Sequence, residues 1–335
     1  MKRLKKVLLF ILSGIIIFIL LLLIAFNISP RPGAMVIGHL FNAPVEMTDK
    51  TAFKEDARKI TVNKDLNYSS KFQKHTYDLY RPKNTTKKVP VMIWVHGGGY
   101  VGGDKLGVKE FATKIAANSQ VAVIAMNYQE APASKYPNQV TQVAELITTL
   151  QKEKPKNLDL QQLFFGGDSA GAQIALQYVA LQTNKKYAHQ MDFARQLEPK
   201  TIKGVLSYCG PVNLIQMKAQ HSDSAFMKFF VHTVAWSLIG SKNWQDSAEL
   251  KQASIVHAVT PDFPPTYITD GNTASFDIQG KALQNRLQKM NIPVTGLFFA
   301  TSKKINHEYQ FDYTTKEAQL CYQQTLTFLN QYLTK

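Results

Sequence analysis

An α/β architecture, a mostly parallel sheet with helices on both faces, is what this sequence predicts, and three features carry the expectation. Short apolar runs of strand type alternate with segments of helical period through residues 89–95, 107–118, 121–127, 139–152 and 163–165; such alternation implies parallel strands joined by right-handed crossovers. The hydrophobic period then switches abruptly. Leu163, Phe164 and Phe165 form a buried-strand run, and Ile174, Tyr178 and Leu181 follow at helical spacing on the far side of Gly167-Asp168-Ser169-Ala170-Gly171. Finally, the apolar strand at 89–95 runs straight into His96-Gly97-Gly98-Gly99-Tyr100, a glycine-rich turn at the end of a strand.

Taken in order, the chain opens with a basic stub over residues 1–6, carrying Lys2, Arg3, Lys5 and Lys6. A run of 20 residues, 7–26, follows, apolar but for Ser13 and Gly14. As a helix this run would span about 30 Å, the thickness of a bilayer core. The basic flank predicts a single-pass signal anchor in the cell membrane, with a cytoplasmic N-terminus and the remainder outside. A cleaved signal peptide is the competing reading. The run is longer than the usual apolar region of about 7–15 residues, and no small-x-small cleavage site follows it. No cysteine lies just after it, which excludes lipoprotein anchoring. Residues 27–58, with Pro30, Pro32 and Pro44, read as a tether and an irregular segment. Its apolar cluster at 35–41 would either fold over a site mouth or rest near the membrane.

Residues 59–335 read as one domain. Strands are expected at 60–62 and 75–80, and the third, at 89–95, delivers the HGGG turn. Its bare N–H groups, at Gly98 or Gly99, suit the binding of a developing oxyanion together with the N–H of Ala170; a flexible glycine turn is the plainer alternative. Between His96 and Ser169 there is room for one further βα unit, and the sequence contains one. Residues 167–171 fit G-x-S-x-G, in which flanking glycines let strand and helix approach closely while Ser169 is held strained at a helix N-terminus. A simple Gly-Ser turn would also satisfy that pattern.

With these motifs placed, the chain from Tyr77 onward resembles α/β-hydrolases of the HGGG esterase and lipase type, similar to hormone-sensitive-lipase-like carboxylesterases. Tyr77-Asp-Leu-Tyr-Arg-Pro82 resembles the family's early strand, and Asn127-Tyr-Gln-Glu-Ala-Pro132 with Tyr136-Pro137 resembles its Tyr-Arg-Leu-Ala-Pro segment; Gln129-Glu130 stand where that segment has Arg-Leu. The resemblance implies a helical cap that shapes an acyl pocket. Residues 212–265 fit it, an aromatic-rich insertion with Phe226, Phe229, Phe230, Trp236 and Trp244, although an ordinary helix pair packed on the core would look the same. His221 and His232 fall in this insertion and read as cap residues without chemistry, and His257 as structural.

Beyond the cap, a strand at 265–269, a helix at 276–290, a last strand at 293–300 and a C-terminal helix are expected. His307 follows the last strand, where this fold places its base, and the order Ser, acid, His is kept. The acid is the departure: alignment puts Ala274 where similar esterases carry it. Asp277, in the following loop, is the preferred substitute, and Asp270, at the strand end beside Gly271, is the alternative.

The remaining bounds are broad. A net charge of +15 spread along 335 residues suits an anionic envelope surface or plain solubility. No nucleic-acid module is visible. Cys209 and Cys321 have no metal-ligand spacing and make no disulfide framework; Cys209 reads as a small core residue. The expected activity is hydrolysis of acyl or acetyl esters, from small molecules or the envelope, by Ser169, His307 and an aspartate, without metal or organic cofactor. A peptidase or amidase using the same triad, and a non-catalytic envelope interaction protein, stay open, and the sequence sets no oligomeric state.

Overall fold

A computed structural model describes residues 2–42, 46–83, 85–218 and 224–333; His221 lies outside the described residues. Helix α1 (Lys2–Ile28) contains the long apolar run. It is followed by α2 (Arg31–Phe41) and α3 (Lys50–Arg58). Both correct the expectation of an irregular tether. Pro32, read as a breaker, sits in the first turn of α2, where proline is tolerated because that N–H has no helical partner. The Asp49 side chain caps α3 by accepting from Ala52 N at 3.0 Å.

Eight strands follow: β1 (Ile60–Asn67), β2 (Thr76–Pro82), β3 (Val89–Val95), β4 (Ala122–Met126), β5 (Leu158–Asp168), β6 (Ile202–Tyr208), β7 (Thr266–Thr269) and β8 (Val294–Leu297). They form one sheet in the order β1-β2-β4-β3-β5-β6-β7-β8. β2 pairs antiparallel with β1 and β4, and every other pairing is parallel. β3 and β5 lie at the centre and run parallel, so the HGGG turn and the serine turn leave neighbouring strands at the same C-terminal end of the sheet.

The intervening helices are α4 (Lys109–Asn118), α5 (Asn138–Glu153), α6 (Ala170–Thr183), α7 (Lys185–Gln190), α8 (Ala225–Ile239), α9 (Ala248–Gln252), α10 (Asp277–Lys289) and α11 (Lys316–Tyr332). Side chains alternate across a strand, and β3 shows the result. Val91, Ile93 and Val95 enter one core with α5 and α6, while Met92 and Trp94 enter the other with Phe111 of α4 and Phe328 of α11. All five are 0% exposed. Burial of each such side chain stabilises the fold by about 1.5–3 kcal/mol, which is why β3 reads as an unbroken apolar run.

Within 212–265 lie α8, α9 and short 3₁₀ turns, as an interruption between β6 and β7. His232 packs beside Trp236, ring centres 5.7 Å apart, and its Nδ1 accepts from Trp244 Nε1. His257 is exposed on a 3₁₀ turn. Cys209 and Cys321 are separate buried thiols.

Candidate active site

Ser169 stands between the last residue of β5 and the first of α6 with φ 48° and ψ −119°, a region that L-residues avoid and that persists only when the surroundings enforce it. The enforcement is visible. Ser169 N donates to Tyr208 O at 2.8 Å, and α6 crosses so close to β3 that a Cβ on Gly171 would collide with the Val95 carbonyl. The strand, turn and helix read from 162–176 therefore have a steric reason for each glycine.

Asp168, which precedes the serine, fastens the turn to the glycine-rich loop after β3. Its Oδ1 accepts from Trp94 Nε1 at 2.8 Å and its Oδ2 from Gly97 N at 2.7 Å. Burial raises the Asp168 pKa, and these two donors work against the rise. Beyond Gly97 the chain takes φ 113° at Gly98, 58° at Gly99 and 62° at Tyr100. Gly99, Tyr100 and Ala170 line the same cavity as Ser169, whereas the Gly98 carbonyl turns back to accept from Val101 N and Gly102 N.

His307 lies in the loop after β8, with Nε2 3.1 Å from Ser169 Oγ. This loop is laced to the one after β7: Asn272 N and Thr273 N donate to Ile305 O, Ile305 N donates to Asn272 Oδ1, and His307 N donates to Thr273 O. The lacing brings Asp270, 2% exposed, behind the imidazole, its Oδ1 3.4 Å from Nδ1. Its Oδ2 accepts from Phe276 N at 2.7 Å. Asp277, the preferred acid by sequence, is elsewhere. It opens α10, pairs with Lys281 Nζ at 2.6 Å and accepts from Ser275. The expected approach of Asp277 to His307 is therefore not formed, and Asp270 faces the ring in its place. The reason is that the strand ends at Thr269 and the next turn folds inward on Gly271, whose missing side chain leaves room for the Asn306 carbonyl.

Burial alone would lower the His307 pKa, but the carboxylates of Asp270, Glu308 and Asp168 outweigh it and the net shift is upward. Glu308 was not singled out from sequence. It adopts φ 61°, lines the cavity beside His307, and burial reinforced by Asp168 raises its pKa to about 7. Cys209 also comes within 4.8 Å of Asp270 and His307, but burial holds its thiol protonated, and it donates to Gln310 Oε1. A protonated, hydrogen-bonded thiol is a poor metal ligand.

The cavity holds about 380 Å³ and is walled by apolar residues from three sources: Ile37, Leu40 and Phe41 of α2, Phe230 and Val234 of α8, and Trp244 and Leu250 beyond. A larger polar groove of about 700 Å³, lined by Thr183, Arg195 and Asp262, includes neither Ser169 nor His307.

Comparison with known proteins agrees with this architecture. An alpha/beta hydrolase of Acanthamoeba polyphaga mimivirus is 25% identical over 228 residues, 64% of this chain; the chain spans 60% of that relative's length. An esterase of Gibberella moniliformis is 25% identical over 237 residues, covering 68% of this chain and 70% of its own. Among solved structures, inhibited esterase B of Lactobacillus rhamnosis superposes with a TM-score of 0.70 at 19% identity, over 84% of this chain and 92% of its own, a likeness of fold. The BD-FAE family model matches residues 77–285, which run from β2 through the HGGG turn and the serine turn into α10, and the chain therefore belongs to the BD-FAE family and has the α/β-hydrolase fold.

Proposed function

We propose that this protein is a serine carboxylic-ester hydrolase held at a membrane by α1. The observation that carries the reading is the 3.1 Å approach of His307 Nε2 to Ser169 Oγ at the wall of an apolar cavity, with Asp270 behind the ring. His307 takes the Ser169 proton as Oγ attacks the acyl carbonyl, and the N–H groups of Ala170 and of the loop at Gly98 and Gly99 hold the oxyanion. The tetrahedral adduct collapses, the acyl group stays on Oγ, and the alcohol leaves with the proton from His307. Water, deprotonated by His307, then releases the carboxylic acid and restores the serine. Relatives named as esterases in Gibberella moniliformis and Salmonella support this choice of reaction.

Retention of the anchor is supported by its last turns. The Phe26 ring lies 6.3 Å from Phe229 of α8, and Lys242 Nζ donates to Asn27 O and Oδ1 at 3.0 and 2.8 Å. The rest of the span is unburied by protein, which suits lipid and not water. With the basic residues on its N-terminal side, the catalytic domain would face outward.

Fluorophosphonate labelling and aryl-ester turnover test the chemistry. Ser169→Ala should abolish labelling and reduce kcat by about 10³-fold or more, while a variant keeping over a tenth of the rate would refute the nucleophile. Protease added to intact cells should digest the bulk of the chain; a soluble, trimmed protein in the medium would replace the anchor with a cleaved signal.

A further inference from the structure

Helix α2 joins the membrane span to the catalytic domain, and it is apolar on two opposite faces. The inner face is packed. Ala34 and Ile37 are buried, and Gly38 presses on the glycine-rich loop so closely that a Cβ there would lie 2.5 Å from the Val101 carbonyl. The outer face is open. Met35 is 75% exposed, Val36 52% and Leu40 58%, and Phe226 at the start of α8 continues the patch at 53%. A helix at a water-facing surface carries mostly polar residues on its outer face; on this one, beyond Arg31 in the first turn, His39 is the single exposed polar side chain among Met35, Val36, Leu40 and Phe41.

What covers the patch follows from its place in the chain. Helix α1 ends at Ile28 and α2 begins at Arg31, so the open face starts within a few residues of the point where the span leaves the bilayer core. Only Ser29, Pro30 and Arg31 separate the exposed apolar span, which ends at Ile28, from the helix that carries the patch. Arg31 opens α2 and Lys242 bonds Asn27 at the end of the span, cations that suit the level of anionic headgroups. Leu40 and Phe226 also line the Ser169 cavity, so the patch is the rim of the active-site mouth.

We infer that α2 and the first turns of α8 dock on the bilayer surface, and that the substrate is an acyl-ester lipid that passes from the membrane into the cavity without crossing water. The inference rests on the esterase reading and on the retained anchor. The anchor holds the domain at the membrane, and docking fixes which way the mouth faces. The transferred chain leaves one apolar medium for another, so specificity comes from access to Ser169 and not from extraction into solvent.

The test uses the full-length protein reconstituted in vesicles of phosphatidylcholine and phosphatidylglycerol, with diacylglycerol in the bilayer as probe and a short-chain aryl ester in solution as reference. Met35 and Val36 lie outside the cavity lining. The paired change Met35→Glu, Val36→Glu should lower diacylglycerol hydrolysis by about tenfold or more while leaving the soluble ester within about twofold, because carboxylates resist insertion at the interface. Unchanged diacylglycerol hydrolysis would overturn the docking face. A second measurement holds even if that variant misfolds. Met35→Cys, labelled with an environment-sensitive dye, should be quenched by lipids bearing a nitroxide on the upper acyl chain; Cys209 and Cys321 are buried and escape labelling. An unquenched dye in water would overturn the proposal. Quenching is independent of catalysis, so absent Ser169-dependent turnover of the soluble ester would instead sink the esterase reading.

Discussion

His307 Nδ1 and Asp270 Oδ1 face each other at 3.4 Å, and neither atom has a hydrogen-bond partner elsewhere. The separation exceeds a formed N–H···O bond of about 2.7–3.2 Å, and catalytic bonds of free enzymes commonly tighten only once substrate is bound. Two buried polar atoms aimed at one another, each otherwise unpaired, define the pairing more sharply than the distance alone.

Exchange of the acid tests that pairing. Asp270→Asn should lower kcat by about 10⁴-fold, the loss seen when a triad carboxylate can no longer fix the histidine tautomer and stabilise its charged form. Asp277→Asn removes a carboxylate that pairs with the half-exposed Lys281 and not with His307, and should stay within about twofold, as such pairs near the surface contribute little. Equal rates for both variants would require an acid from elsewhere.

Glu308 should set the acidic limb of the pH profile. Its carboxylate interacts through charge with Asp168 at the end of β5, Asp270 after β7 and His307 in its own loop, and it pushes the His307 pKa upward. With neutral His307 as the base of the proposed mechanism, Glu308→Gln should move the acidic limb of kcat/KM to lower pH. The stability sign is also fixed. Glu308 has a folded pKa of about 7 against an ordinary 4.5, so the folded state holds a proton the unfolded state has lost, and stability falls as pH rises through that window. Thermal melts of Glu308→Gln should therefore gain on the parent above pH 7 and match it near pH 4. A gain confined to acid pH would reverse this account.

Much of this was legible before the fold. Residues 89–99 and 163–171 announce themselves because strand burial and turn sterics are local, and a glycine that must admit a neighbouring carbonyl, as Gly171 does, is written in the sequence. The acid was not local. Asp270 reaches His307 only because loops more than thirty residues apart are laced together at Ile305 and Asn272, a contact without a periodic signal. Glu308 was overlooked for a similar reason: a glutamate in a polar loop looks solvated until the elbow closes over it. α2 is hidden in the sequence because Pro30 and Pro32, ordinarily helix breakers, stand where they start a helix.

The two loop glycines should not be equivalent. At Gly98, φ is 113° and a side chain would strike the Gly102 carbonyl, so Gly98→Ala forces the loop to move and should reduce kcat by about 10²-fold or more, the scale of a lost oxyanion donor. At Gly99, φ is 58° and the nearest obstacle is the Phe230 ring at 3.3 Å, which can shift. The left-handed conformation then costs alanine about 1–2 kcal/mol and Gly99→Ala should fall within about tenfold of the parent. The opposite order of severity would mean that Gly98 is not the rigid point of the loop.

Acyl-chain length separates the acetyl esters that the sequence left open from the acyl-ester lipid inferred above. An acetyl group would leave most of a 380 Å³ apolar cavity unfilled, whereas each added methylene buried there contributes about 0.8 kcal/mol, roughly fourfold in kcat/KM when realised in the transition state. A series of aryl esters from acetyl upward should thus rise in kcat/KM until the chain meets Trp244 and Leu250, then level or drop. Trp244→Ala removes a wall that is 4% exposed and should move the optimum to longer chains. A series that peaks at acetyl and declines from there would show that the acyl group does not enter this cavity, and would take the lipid substrate with it.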